Sequence, residues 1–226
     1  MASLAFDIYG TLIDPMSLGK MLEMMLGEED RAKTFNILWR DKQLEYSFRK
    51  TAMPQFNHFS ECTKQALFYC NDFLNAELKD EQKQELLDSY RKLPPYEETE
   101  VCLSTLKEKG HEIIAFSNGK KDDLISLFKN GGLNDYFDQV ISVDEVVTFK
   151  PSPEVYELLA NKSIAEKEDT WLVSANGFDV IGAGACGLKT AWLKRKINAV
   201  LDPFGYEPDL VIRSLTELTD FSHWSK

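Results

Sequence analysis

The chain has 226 residues, 43% of them hydrophobic and 12% aromatic, enough for a sizeable core and too apolar for a long disordered protein. A formal net charge of −11 leaves no basic surplus to neutralise phosphates, which argues against a nucleic-acid partner. No apolar run approaches the roughly 20 residues of a membrane span. The four cysteines (Cys62, Cys70, Cys102, Cys186) form no CxxC pair and have no histidine at zinc-like spacing, so they read as core thiols in a reducing cytosol.

The first apolar stretch, residues 4–6, is short and runs into Tyr9-Gly10-Thr11, which predicts a buried strand ending in a turn rather than a secretory leader. From about 17 to 91 apolar positions recur at three- and four-residue spacing, giving helix after helix. The stretch PPYEE at 94–98 marks a boundary. Beyond it the pattern alternates: helix 99–109 closed by Gly110, strand 112–116, helix 120–129, strand 138–142, helix 153–161, strand 170–174, helix 178–186, strand 188–193 and a last strand near 209–212. Such alternation predicts a parallel sheet covered on both faces. The fold class is therefore α/β, a doubly wound parallel core from residues 1–14 and 92–226, with a helical insertion, 15–91, after the first strand. Sites in sheets of this kind gather at the C-terminal strand ends.

Four of those ends carry polar groups. Asp7 leaves strand one in FDIYGTL (6–12), where its alternative is a cap for the following turn. Strand 112–116 ends in Ser117-Asn118-Gly119, either an anion site at a helix N-terminus or an ordinary cap. Lys150 precedes Pro151-Ser152-Pro153, with Ser152 read as an N-cap and Pro153 as the first helical residue; Tyr156 falls one turn later. Strand 170–174 ends in Ser174-Ala175-Asn176-Gly177-Phe178-Asp179, where Asp179 has the alternative role of a first-turn acid. Each bland reading stands alone, but together they place Asp7, Ser117, Lys150, Ser174 and Asp179 along one rim by accident.

The order Asp–Ser–Lys–Asp in FDIYGTL, FSNG, FKPSP and SANGFD resembles the haloacid dehalogenase superfamily, and within it the type II, or L-2-haloacid, dehalogenases. The resemblance covers nearly the whole chain and implies a Rossmann-like core with an inserted cap domain. It implies hydrolysis of small (S)-2-haloacids to (R)-2-hydroxyacids through an aspartyl ester on Asp7, with Thr11, Lys150, Tyr156, Ser174, Asn176 and Asp179 as further catalytic residues. LWRDKQLEY (38–46) resembles the cap motif of these enzymes and makes Arg40 the halide-binding cation, assisted by Asn118. By spacing, Ile37, Arg40, Leu44 and Phe48 share one helical face, so Arg40 interrupts an apolar stripe, snorkels or pairs with an acid. Tyr9, Leu44, Phe59 and Phe178 are implied as the pocket wall, and Ser117 as a contact of the substrate carboxylate. Two departures from the pattern stand out: Asp41 in place of a glutamine, expected to pair with Arg40 and weaken its hold on halide, and Phe178 where tryptophan is common, expected to enlarge the pocket slightly.

Phosphatases of the superfamily carry a second aspartate two residues after the nucleophile, and this chain has Tyr9 there. They also hold Mg²⁺ with additional acids, whereas Asp179 stands here with Ala175 four residues earlier. The implied enzyme uses no metal and no cofactor; Mg²⁺ belongs only to the alternative, a phosphatase of small phosphomonoesters. A catalytically idle protein that keeps the fold is the second alternative. The implied partners are a small halogenated carboxylic acid, water and halide, with neither nucleic acid nor membrane, in a cytoplasmic protein that the resemblance makes a possible homodimer. The run Gly182-Ala183-Gly184-Ala185-Cys186-Gly187 spells GxGxxG but lies within a predicted helix, the wrong context for a dinucleotide loop. Asn161-Lys162-Ser163 is a sequon without meaning in a cytosolic chain.

Overall fold

Strand β1, Ser3–Phe6, is buried along its whole length and lies inside a six-stranded, all-parallel sheet of order β3-β2-β1-β4-β5-β6. Its partners are β2, Glu112–Ser117, and β4, Thr170–Ser174; β3 is Gln139–Ser142, β5 Lys189–Leu193 and β6 Leu210–Ile212. The computed structural model describes residues 2–53 and 55–220. Residues 1 and 221–226, assigned above to the core, and Pro54, assigned to the insertion, lie outside the described residues.

The period-2 alternation of a strand sorts β1 between two layers. Leu4 and Phe6 join Ile113, Ala115, Trp171 and Val173 against helix α5, Thr99–Glu108, and helix α6, Lys121–Asn130. Ala5 joins Ile114, Phe116 and Leu172 on the other face against α7, Pro153–Lys162, and α8, Gly177–Ala185. Helices thus cover both faces, as a doubly wound sheet requires. Each large apolar side chain so buried contributes about 1.5–3 kcal/mol.

Between β1 and α5 the chain forms α1, Gly19–Leu26, α2, Glu29–Ala52, α3, Phe59–Phe73, and α4, Asp80–Tyr90. It leaves and returns at one place. Ile13 bridges Pro95, Asp14 N–H donates to the Pro94 carbonyl at 3.0 Å, and Tyr96 N–H donates to the Leu12 carbonyl at 3.0 Å.

The face of α2 differs from its predicted stripe. Ala32, Phe35, Asn36, Trp39, Gln43, Ser47 and Lys50 are its buried residues, while Ile37 is 42% exposed. The reason is that α2 packs against α1 and α3 along the Phe35–Trp39 side, which leaves Arg40, Leu44 and Phe48 half-buried towards the sheet edge. Serine 152 precedes α7 as predicted, and Pro153 opens the helix, but the Ser152 hydroxyl donates to the Glu154 carboxylate instead of capping. The cysteines are free, with Cys62, Cys70 and Cys102 buried; burial pushes the Cys62 thiol up to about 11 and those of Cys70 and Cys102 to about 12.

Candidate active site

The register of β1 sets the site. Phe6 pairs with Ala115 on one side and Val173 on the other, so Asp7, Ser117 and Ser174 emerge at one edge. Asp7 N–H extends the ladder by one bond, to the Val173 carbonyl at 3.0 Å, which fixes the backbone that carries the carboxylate. The chain then turns sharply at Gly10, whose φ of +92° lies in the left-handed region open to glycine.

Both carboxylate oxygens of Asp7 are held. Oδ1 accepts from Lys150 Nζ at 3.2 Å. Oδ2 accepts from Thr11 Oγ1 at 2.8 Å, Asn176 Nδ2 at 2.7 Å and Ser174 Oγ at 3.3 Å. Thr11 Oγ1 accepts in turn from Ala175 N–H at 2.9 Å, and Ser174 Oγ from Asn176 N–H at 3.1 Å, so the donors are themselves locked.

Lys150 is 1% exposed, although it lies on a loop. Its Nζ donates to Asp7, to Asp179 Oδ2 at 2.8 Å and to the Phe116 carbonyl at 2.9 Å, and lies 4.0 Å from the centre of the Phe116 ring. A buried ammonium needs this many partners to offset the loss of water. Asp179 is wholly buried and accepts from the Tyr156 hydroxyl at 2.9 Å. Burial raises its carboxyl to about 6 against the pull of Lys150. Burial, and then the charge of Asp179, push the Tyr156 hydroxyl well above its ordinary value, so it stays a donor.

Asp7, Tyr9, Arg40, Leu44, Phe59, Ser117, Asn118, Lys150, Asn176 and Phe178 line one cavity of about 10 Å³, room for about one water. Thr11, Tyr156, Ser174 and Asp179 stand behind that lining. The structure therefore brings the expected catalytic and pocket residues to one place. Ser117 Oγ accepts from Gly119 N–H at 3.0 Å, and Asn118 Oδ1 accepts from Lys150 N–H at 3.0 Å, which leaves the Asn118 NH₂ for other use. The expected Arg40–Asp41 pair is not formed. Arg40 donates instead to Gln43 Oε1 at 3.4 Å and to the Tyr9 carbonyl at 3.0 Å, and burial raises the carboxyl of Asp41 despite the nearby guanidinium. The cause is geometric, since neighbours in sequence on a helix point apart while residues three apart meet.

Three participants had escaped the sequence reading. Gln43 and Tyr90 contact Arg40 and each other; the spacing of Gln43 from Arg40 within LWRDKQLEY was the available signal, while Tyr90 had none. Arg195 donates to the carbonyls of Gly10 and Thr11 at 3.2 and 2.5 Å and to Glu98 at 2.8 Å, pinning the turn after β1. A larger cavity of about 310 Å³ adjoins the site and shares Tyr9 and Phe59 with it. Among the described residues, no group of three or more His, Cys, Asp or Glu side chains is placed to hold a metal ion.

The sequence profile of the haloacid dehalogenase-like hydrolases matches residues 1–187, so the chain belongs to that family. It is 32% identical over 220 residues to (S)-2-haloacid dehalogenase 2 of Pseudomonas sp. strain CBS-3, covering 97% of this chain and 95% of that one. It is 36% identical over 219 residues to the (S)-2-haloacid dehalogenase of Xanthobacter autotrophicus, covering 97% and 83%. The solved structure of the L-2-haloacid dehalogenase of that organism with chloropropionic acid covalently bound superposes with a TM-score of 0.88 at 30% identity, over 97% of each chain.

Proposed function

We propose that this protein is a type II 2-haloacid dehalogenase, a hydrolase of carbon–halide bonds that converts small (S)-2-haloacids to (R)-2-hydroxyacids through an ester on Asp7. The observation that carries the reading is one buried carboxylate, braced by Lys150, Thr11, Ser174 and Asn176, that lines the same small cavity as Arg40. An Asp7 oxygen attacks C2 of the substrate and the carbon–halogen bond breaks, its electron pair leaving with the halide towards Arg40 and the Asn118 NH₂. Water then adds to the Asp7 carbonyl carbon, and the 2-hydroxyacid departs with the original Asp7 oxygen. Displacement inverts C2 once, and hydrolysis at the enzyme's own carbonyl does not touch it.

Two carboxylates about 4 Å apart repel by about 4 kcal/mol at an effective dielectric near 20, roughly a thousandfold in rate if left uncompensated. Lys150 offsets this at Asp7, while Ser117 and nearby backbone N–H groups receive the substrate carboxylate. Tyr9, Leu44, Phe59 and Phe178 enclose the alkyl part. Asp179 holds Lys150 and is itself fixed by Tyr156, whereas Ser174 and Asn176, expected to position Lys150, bond Asp7 instead and present its carbonyl to the hydrolytic water.

The reading requires no metal. A phosphatase needs an acid beside the nucleophile to protonate its leaving group, and Tyr9 suits this poorly. Its ring is stacked on Tyr90, and burial raises its hydroxyl above the ordinary range. The division into core (1–14, 92–226) and inserted cap (15–91) is part of the proposal, supported by the paired exit and return at Ile13 and Pro95. So are a cytoplasmic location, supported by four free thiols and by no described helix being long and apolar enough to cross a membrane, and a homodimer, supported by exposed Met24, Phe68 and Phe73. Halide release from (S)-2-chloropropionate, unaffected by EDTA and yielding (R)-lactate on a chiral column, tests the function. Release of phosphate from a phosphomonoester in Mg²⁺, with no halide from any haloacid, would overturn it.

A further inference from the structure

Arg40 sits in a closed circuit of contacts. Its Nη2 donates to the Tyr9 carbonyl and its Nη1 to Gln43 Oε1. The Tyr90 hydroxyl donates to the same Oε1 at 3.0 Å, and the Tyr90 ring stacks on Tyr9 with centroids 5.6 Å apart and planes 24° from parallel. The circuit thus ties the turn after β1 to α2 and α4. Gln43 is completely buried, and among the described residues its NH₂ group has no hydrogen-bond partner. Turning the amide over would set that NH₂ against the guanidinium, so the oxygen is held towards Arg40 while a buried donor goes unsatisfied. A structural filler would not need the amide at all, because methionine occupies similar volume without a buried polar cost. The arrangement makes sense if the Oε1 contact has a use.

We propose that Gln43 and Tyr90 are positioning residues that aim the Arg40 guanidinium at the departing halide, and so set how strongly the enzyme depends on its leaving group. The inference rests on the halide-facing role of Arg40 proposed above. In the displacement the bond from Asp7 oxygen to C2 forms as the carbon–halogen bond breaks, and negative charge collects on the halogen with no proton to relieve it. Chloride, the poorest leaving group of chloride, bromide and iodide, draws most on a correctly placed cation. Misaiming the cation weakens an interaction that grows towards the transition state, so chloride suffers most.

The test is kcat/KM, which covers steps through carbon–halogen cleavage, for (S)-2-chloro-, 2-bromo- and 2-iodopropionate. It is measured in wild type, Gln43→Met, Tyr90→Phe and Arg40→Met. Gln43→Met is expected to lose roughly tenfold or more on the chloro acid and much less on the iodo acid, widening the iodo-to-chloro ratio at least about fivefold. Tyr90→Phe keeps the ring and shifts the ratio the same way by less, and it carries the test if Gln43→Met does not fold. A merely structural role would lower all three substrates by one factor. Equal losses, or no change in folded variants, beside a widened ratio in Arg40→Met would overturn this inference alone. A flat profile in Arg40→Met would remove the cation's role and this inference with it, and an inactive wild type would strike the proposed function itself.

Discussion

Asp179 faces Asp7 across the Lys150 ammonium, 2.8 Å from Nζ on its side against 3.2 Å on the side of Asp7. Two buried carboxylates thus share one cation, and the wholly buried one has its carboxyl raised to about 6, first by burial and then by the charge of Asp7, against the attraction of Lys150.

That sharing predicts an acid limb in the pH profile. As pH falls through about 6, Asp179 takes up a proton, its claim on Lys150 weakens, and the ammonium is drawn towards Asp7, masking the carboxylate that must attack. The value is raised, so the folded chain binds this proton more firmly than the unfolded one. This group therefore favours folding below its ordinary value of 3.8, and that favour is lost as pH rises through about 6. Activity is present above the window and stability gained below it. Rates measured from about pH 5 to 8 should fall on the acid side in wild type, whereas Asp179→Asn, a fixed neutral mimic, should be slow and flat. An unchanged acid limb in Asp179→Asn would assign the titration elsewhere.

Asp7→Asn should abolish turnover, at least roughly a thousandfold, while the fold is retained, as circular dichroism would show. In a single turnover in heavy-oxygen water, wild type should carry the label in the Asp7 side chain and release unlabelled product. Mass analysis of the peptide containing residue 7 reads this directly. Label appearing in product on the first turnover would mean that water, not Asp7, attacks C2.

Thr11 links the nucleophile to the strand beside it, donating to Asp7 at 2.8 Å and accepting from Ala175 N–H at 2.9 Å. Thr11→Val keeps the volume and removes both bonds. A hydrogen bond to a charged group is worth about 1.5–3 kcal/mol and an orphaned buried donor costs about 1–3 kcal/mol. A rate loss of roughly tenfold to a hundredfold in kcat should therefore accompany a clear drop in denaturant midpoint. Loss of stability with kcat intact would make Thr11 a purely structural residue.

The sheet was legible because strand and helix periods differ and Gly and Pro punctuate the chain after residue 94; the observed bounds fall within a residue or so of the predicted ones. The rim residues were legible because a parallel sheet places every strand's C-terminal end at one edge, so Asp7, Ser117 and Ser174 needed no contact information. Arg40 was the harder case. Its helical face was inferred from spacing alone, and spacing does not say which of two half-apolar faces of α2 meets its neighbours; Trp39 and Phe35 won that competition. Tyr90 and Arg195 reach the site from 81 and 185 residues beyond Tyr9 and Gly10, by tertiary contacts that no local pattern encodes.

The glycines of Gly182-Ala183-Gly184-Ala185-Cys186-Gly187 acquire a physical role once the helix is in place. Gly182 lies in α8 where a methyl group would come within 2.5 Å of the Tyr156 hydroxyl oxygen and 2.8 Å of Pro151 Cβ. Gly187 ends the helix with a φ of +82°. Gly182 thus lets α8 approach α7 closely enough for Tyr156 to reach Asp179 at 2.9 Å. Gly182→Ala should displace the Tyr156 ring, cost about 1–3 kcal/mol through overpacking, and shift the acid limb of the pH profile, because Asp179 loses a donor that stabilises its charged form. Melting temperature and the pH profile measured together check both effects. An alanine variant with wild-type stability and an unmoved limb would show that Tyr156 does not hold Asp179 in the working enzyme.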